Sequence, residues 1–71
     1  MVSELNRALR VLRRKQVQAR TGLSRSTIYF RIAEGSFPKP VSLGDRAVGW
    51  LESEIESWLS SRVEASRKVK A

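Results

Sequence analysis

KQVQARTGLSRSTIYFRIAEGSF, residues 15–37, decides how this chain folds. The spacing predicts two short helices joined by a tight Thr21-Gly22-Leu23 turn. The first runs from about Lys15 to Arg20. Val17 is its one strong apolar anchor, and no good N-cap residue precedes it, so packing must hold it. Gly22 suits the turn because glycine takes positive φ without a steric penalty. Ser24 opens the second helix by accepting a first-turn N–H, and Gly35 stops it. Ile28 and Ile32, four apart, form its inward face. Ser26, Phe30 and Ala33 point outward, with Arg25 and Tyr29 on the flank. Two such helices at this spacing are the pattern of a helix-turn-helix, which lays its second helix in a DNA major groove.

Beyond this unit the pattern changes. Phe37-Pro38-Lys39-Pro40 cannot continue a helix, because each proline fixes its own φ and restricts the residue before it. Val41 and Leu43 alternate with polar neighbours, Gly44-Asp45-Arg46 is turn-like, and Val48 and Trp50 alternate again. These residues predict a short hairpin, or wing. A third helix is expected from about Ser53, where Ser53 and Glu56 have capping-box spacing. Ile55, Trp58, Leu59 and Val63 form its apolar stripe. Upstream, Leu5, Ala8, Leu9 and Leu12 fall at helical spacing, yet Val11-Leu12 between arginines also reads as a short strand near Arg10–Arg13, the reading favoured here. The fold class is therefore mainly α with a small β-hairpin, a winged helix-turn-helix. Residues 1–9 are expected as a flexible arm, 10–63 as the domain, and 64–71 as a frayed basic tail.

Composition narrows the function. Seventy-one residues suffice for one small domain. Cysteine and histidine are both missing, which removes disulfides, the usual zinc ligands and the usual general base. No phosphate-cradling glycine loop or nucleophile elbow is present. An enzyme is not expected, and neither a metal nor a cofactor is called for. Glu52, Glu54 and Glu56 read as an acidic first turn suited to the helix dipole. No apolar run is long enough to span a membrane and Met1–Glu4 does not open a secretory signal, so a cytoplasmic location is the expectation. The net charge is +7. Residues 1–46 carry ten basic against three acidic residues, so the excess sits on the segment with the helix-turn-helix. Charge alone fits a solvated surface equally well; together with the motif it points to nucleic acid.

TGLSRSTIY, EGSFPKPVSLGDRAVGW and ESEIESWL together closely resemble the AlpA family of phage and prophage regulators. That family is in turn similar to the winged helix-turn-helix of MerR-type regulators and phage excisionases. The resemblance covers roughly Val11 to Arg62. It implies DNA binding, with control of an integrase gene or of excision of an integrated element. Two positions depart from the usual pattern. Gln18 stands four before the turn glycine, where a small residue is common. Phe30 and Arg31 exchange the basic and apolar residues that relatives often carry.

The candidate DNA-binding residues are Lys15, Ser24, Arg25, Ser26, Thr27, Tyr29, Phe30, Lys39 and Arg46. Arg25, in the first turn of the second helix, has the reach for guanine O6 and N7 or for a phosphate. Ser24 is a cap first and a phosphate donor second. Ser26 and Thr27 are small enough to admit the helix to the groove, and Thr27 also bonds locally. Tyr29 either donates to a phosphate or packs on the wing. Phe30 touches a thymine methyl or is simply exposed. Arg46, at the wing turn, meets the minor groove or backbone, or pairs with Asp45 or Glu52. Lys39 lies on an extended segment within reach of a phosphate, and Lys15 opens the first helix near a phosphate-binding N-terminus. Trp50 and Trp58 are expected as core anchors. Double-stranded DNA is the expected partner, bound by a monomer or by a cooperative assembly. Two alternatives remain: a recombination directionality factor, or an adaptor that recruits an integrase or RNA polymerase through Phe30 and the basic tail.

Overall fold

The computed structural model describes residues 9–70. Most of the expected arm, residues 1–8, and Ala71 at the end of the expected tail lie outside the described residues. In chain order the elements are β1 (Val11–Leu12), α1 (Arg14–Thr21), α2 (Arg25–Glu34), β2 (Val41–Gly44), β3 (Ala47–Leu51) and α3 (Glu52–Lys70). The strands form one antiparallel sheet in the order β1-β3-β2. The strand reading of Val11-Leu12 thus holds: Val11 faces Leu51 and Leu12 faces Trp50.

Local signals account for the two motif helices. Lacking a good N-cap side chain, α1 is closed by Gln16, whose Oε1 accepts the Arg13 N–H at 2.8 Å. Thr21 builds the turn from both sides. Its hydroxyl donates to the Val17 carbonyl at 2.8 Å and accepts the Leu23 N–H at 3.2 Å. Gly22 then takes φ +75°, and its N–H reaches the Gln18 carbonyl. Ser24 caps α2, accepting the Thr27 N–H at 3.2 Å, and Gly35 ends it at φ +85°.

The core takes one buried residue from nearly every element: Leu12, Val17, Ile28, Phe37, Trp50 and Ile55. Leu23, Ile32, Trp58 and Leu59 pack around it. Both tryptophans find polar partners for their indole N–H groups, as half-apolar rings in a small core must. Trp50 donates to the Pro38 carbonyl at 2.9 Å and Trp58 to the Ser36 carbonyl at 2.7 Å. Phe37 meets Trp58 edge to face, with ring centroids 4.8 Å apart. The 36–38 segment is thereby pinned between the sheet and α3. Strand β2 lies wholly exposed at the sheet edge, so the hairpin projects as a wing.

Three expectations for the C-terminal half need correction. First, α3 begins at Glu52, so Ser53 lies inside the helix and the Ser53–Glu56 capping box does not form. The Glu52 N–H extends the sheet to the Arg10 carbonyl at 2.8 Å, and the Glu56 carboxylate turns to Arg20. Second, the apolar stripe ends early: Ile55 is buried and Trp58 and Leu59 half-buried, but Val63 is exposed. Third, the helix continues to Lys70 through the segment expected to fray.

Gly49 is where the sheet is tightest. A Cβ there would stand 2.5 Å from Val11 Cγ1, 3.0 Å from the Leu12 carbonyl oxygen and 3.2 Å from Leu43 Cδ1. Gly49→Ala is expected to destabilise the fold by about 1–3 kcal/mol through overpacking, read as a lower thermal midpoint. Ser24→Ala should lower it by about 0.5–2 kcal/mol through loss of the α2 cap.

Candidate nucleic-acid interface

Residues facing outward from α2 form an uninterrupted exposed strip: Arg25, Ser26, Tyr29, Phe30 and Ala33. The helical repeat dictates it, because Ile28 is consumed by the core and Ile32 packs against it. Phe30 is the most exposed large apolar residue described, at 64%. Arg25 lies over the Tyr29 ring, its Cζ 5.6 Å from the centroid, a cation–π contact that holds the guanidinium at the start of the strip. The hydroxyls behind it are largely engaged with one another. Ser24 Oγ donates to Thr27 Oγ1 at 2.9 Å and accepts the Thr27 N–H. Ser26 Oγ stands 3.4 Å from Ser24 Oγ. Ser24 and Thr27 are thus first a helix cap, while Ser26 and Arg25 are the exposed polar side chains of the first turn.

Tyr29 also joins this strip to a cleft. Arg13, Arg14, Lys15, Tyr29, Arg46 and Val48 line a depression between the start of α1, α2 and the wing. Lys15, Tyr29 and Arg46, far apart in sequence, are brought together there, with Arg25 adjoining through Tyr29. Lys39 is exposed on the connector before β2 and is not among the lining residues. Arg13 was not singled out from the sequence, although the run Arg13-Arg14-Lys15 at a helix start was a visible signal. Val48 belongs to the cleft only because the wing folds back, which no local pattern reports.

The charges are sorted. Among the described residues, ion pairs join Arg10 and Arg20 to Glu52 and Glu56. Arg20 bridges both carboxylates, at 2.5 Å to Glu52 and 2.7 Å to Glu56, fastening α1 to α3. The hydrogen bond to Glu52, then that to Glu56, raise its pKa above the ordinary arginine value. Arg46 pairs with neither of its two candidate carboxylates, Asp45 and Glu52. The cleft therefore keeps its positive charge, and its lining holds no carboxylate.

The helix starts show the same asymmetry. A helix N-terminus favours negative charge. α3 obeys, with Glu52 and Glu54 in its first turn. α1 and α2 carry no acid there and open instead on Arg14-Lys15 and Arg25. These two termini are arranged unfavourably for the free protein and favourably for an anion placed against them.

The profile of the family described as prophage CP4-57 regulatory protein (AlpA) matches residues 10–63, from the edge of β1 into α3. The chain belongs to the AlpA family. Its helices and three-stranded sheet are the winged helix-turn-helix expected of that family. Over 59 residues it is 51% identical to "Uncharacterized protein ORF88" of Enterobacteria phage P4, covering 83% of this chain and 66% of that protein. Over 61 residues it is 43% identical to the "DNA-binding transcriptional activator AlpA" of Escherichia coli (strain K12), covering 78% of this chain and 87% of the relative. Among the described residues of this AlpA-family chain, no helix is long and apolar enough to cross a membrane.

If the cation at the start of α1 is a liability in the free protein, Lys15→Glu should stabilise it. The expected gain is about 0.3–1 kcal/mol, shrinking as salt is added. Denaturant unfolding at low and high salt checks it.

Proposed function

We propose that this AlpA-family chain is a sequence-specific DNA-binding regulator of phage type, acting in the cytoplasm without a cofactor. One observation carries the proposal: the exposed strip of α2 runs without a break into a cationic cleft shared with the wing. A helix presented beside a projecting hairpin matches adjacent grooves of a duplex, and unpaired cations between them match the phosphates that separate those grooves. Arg25, Ser26 and Phe30 supply base preference. Lys15, Tyr29, Lys39 and Arg46 supply affinity along the backbone, and Ser24 and Thr27 present the first turn. The name of the Escherichia coli relative, a DNA-binding transcriptional activator, supports the same class. Control of an integrase gene, or of excision of an integrated element, is the biological setting proposed. Binding is by a monomer or by cooperative assembly on repeated sites.

A second reading is favoured by the course of α3. Its last part, from Arg62 onward, presents exposed Arg62, Val63, Arg67 and Lys68. With Phe30 these would form a surface recruiting an integrase or RNA polymerase, DNA contacts being secondary. A gel shift with mixed duplex at moderate salt separates the two. A salt-sensitive shift supports DNA binding, and its absence supports the adaptor.

Arg25→Ala should weaken binding to a specific site by about 1–3 kcal/mol and relax base preference there. Equal binding of parent and variant to cognate and scrambled DNA would remove Arg25 from base reading. Lys39→Ala should weaken both duplexes about equally and lower the salt slope of log K by about one. An unchanged slope would remove Lys39 from the phosphate contacts. Footprinting of the DNA around its own gene distinguishes a regulator, with sites beside a promoter, from a directionality factor, with sites clustered at an attachment junction.

A further inference from the structure

We propose that the free edge of the wing, strand β2, is a self-association surface, on which a second copy of this chain lays its own β2 antiparallel about a twofold axis at Ser42. The role given to this contact, cooperative seating of two copies on DNA, rests on the DNA-binding function proposed above. The contact itself does not.

β2 is an outer strand of the sheet, and all of its residues are exposed. An unpaired edge invites another strand, so edges are usually guarded by lysine, proline or an inward charge. Val41-Ser42-Leu43-Gly44 holds none of these, and its register irregularity falls toward Gly44, past the centre of the pairing. The ladder also fixes which backbone groups are free. The Glu52 N–H donates to the Arg10 carbonyl, one step beyond the Val11–Leu51 pair. Alternation from that bond turns the N–H and C=O of Gly49 toward β2, where Val41 stands opposite. The N–H and C=O of Ser42, the next residue, therefore face the open edge. Two such residues across a twofold axis exchange both bonds, as opposed residues of an antiparallel ladder do.

The sequence around Ser42 suits that axis. Pairing Ser42 with itself sets Val41 opposite Leu43 of the second copy and Lys39 opposite its Asp45. Gly44 at φ +129° and Arg46 at φ +58° make the wing reversal, so Asp45 stands at the tip. Lys39 and Asp45 are both exposed, and neither has an ion-pair partner among the described residues. Each copy brings one unmatched cation and one unmatched anion, and the axis matches both. An ammonium donates three hydrogen bonds, so the pair leaves donors for the phosphate contact of Lys39.

The side chains extend the match. Opposed residues share a sheet face and successive ones alternate. Leu12 and Trp50 take the core face, so Val11, Gly49 and Leu51 take the outer one, joined by Val41, Leu43 and Ala47. Val11 Cγ1 and Leu43 Cδ1 close over Gly49, at 2.5 and 3.2 Å from where a Cβ would stand, so the patch is continuous. A solvated sheet face is ordinarily polar, and this one carries no polar side chain. Val41 and Leu43 are its exposed large members, and they are the ones the pairing covers.

Few groups take part, so the covered area falls short of the roughly 800 Å² per partner of a stable dimer. Two chains of net charge +7 also repel. Free association is therefore weak and grows as salt screens the repulsion, whereas binding to DNA weakens with salt. On a duplex the phosphates neutralise that charge and adjacent sites raise the local concentration, so the contact is read there as cooperativity.

Because the chain has no cysteine, Ser42→Cys introduces a single thiol. A short bis-maleimide should join two Ser42→Cys chains in high salt and far fewer in low salt. It should leave Ser60→Cys, at an exposed position on α3, monomeric. Ser42→Pro removes the edge N–H without touching the ladder to β3, and Val41→Lys places a charge on the edge. Sedimentation equilibrium in high salt should show a weak dimer of the parent and none of either variant. Val41→Lys keeps the test valid if Ser42→Pro fails to fold. On a mixed-sequence duplex long enough for several copies, the variants should bind the first copy undiminished and the second about tenfold more weakly than the parent does. No crosslink at Ser42→Cys and no salt-promoted dimer would overturn the pairing, whether or not DNA is bound. Equal crosslinking at Ser42→Cys and Ser60→Cys would overturn it as random collision. If the parent dimerises with salt but binds no duplex, DNA binding fails and the pairing stands. If the variants retain the parent's cooperativity on DNA, the edge has no part in seating two copies there.

Discussion

The burial of Trp50 is the constraint on which this small fold depends. The indole lies on the central strand, completely excluded from solvent, with β1 and β2 paired on either side. Its N–H fixes the connector at Pro38, and with Val17, Ile28 and Ile55 it forms the fully buried heart of the core. Loss of such a ring, at roughly 3–5 kcal/mol, is comparable with the whole stability of a domain this short. Because Val17 of α1 and Ile28 of α2 share one core with Trp50 of β3, the relative position of α2 and the wing is set by the core and not by the surface. The outward residues of α2 therefore carry none of the core packing, and their placement is secured from within.

Charge follows a comparable division. Glu52 and Glu54 complement the first turn of α3, and Glu52 and Glu56, through Arg20 and Arg10, fasten that helix to α1 and to the start of β1. These two carboxylates are thereby engaged outside the cleft. The cations left over cluster where the two other helices start, against the local preference of those helices. An anion restores the preference, so electrostatic features that disfavour the free protein become favourable on a polyanion.

The two motif helices were legible because their signals are local. Ser24, Gly22 and Gly35 act within one turn of where they stand, and the Ile28–Ile32 repeat reports its own inner face. The strand at Val11-Leu12 was readable as one of two alternatives, and pairing with Trp50 and Leu51 decided between them. The capping box at Ser53 failed for a tertiary reason. Continuation of the β1–β3 ladder to Arg10 engages the Glu52 N–H, and Arg20 takes the Glu56 carboxylate. Phe37 was not marked as core from the sequence, since nothing around it is periodic. Its burial depends on Trp58, 21 positions later on α3.

By itself the sequence determined the helix-turn-helix, the wing, the family resemblance and the excess positive charge, all of which are written in short-range spacing and composition. It also named Lys15, Tyr29 and Arg46, half of the residues now seen around the cleft, but as separate side chains. Their convergence, the stacking of Arg25 on Tyr29 and the left-handed turn at Arg46 were decided only by the tertiary structure. The physical reason is that side chains more than thirty positions apart meet through the packing of the core between them, and no local rule contains that distance.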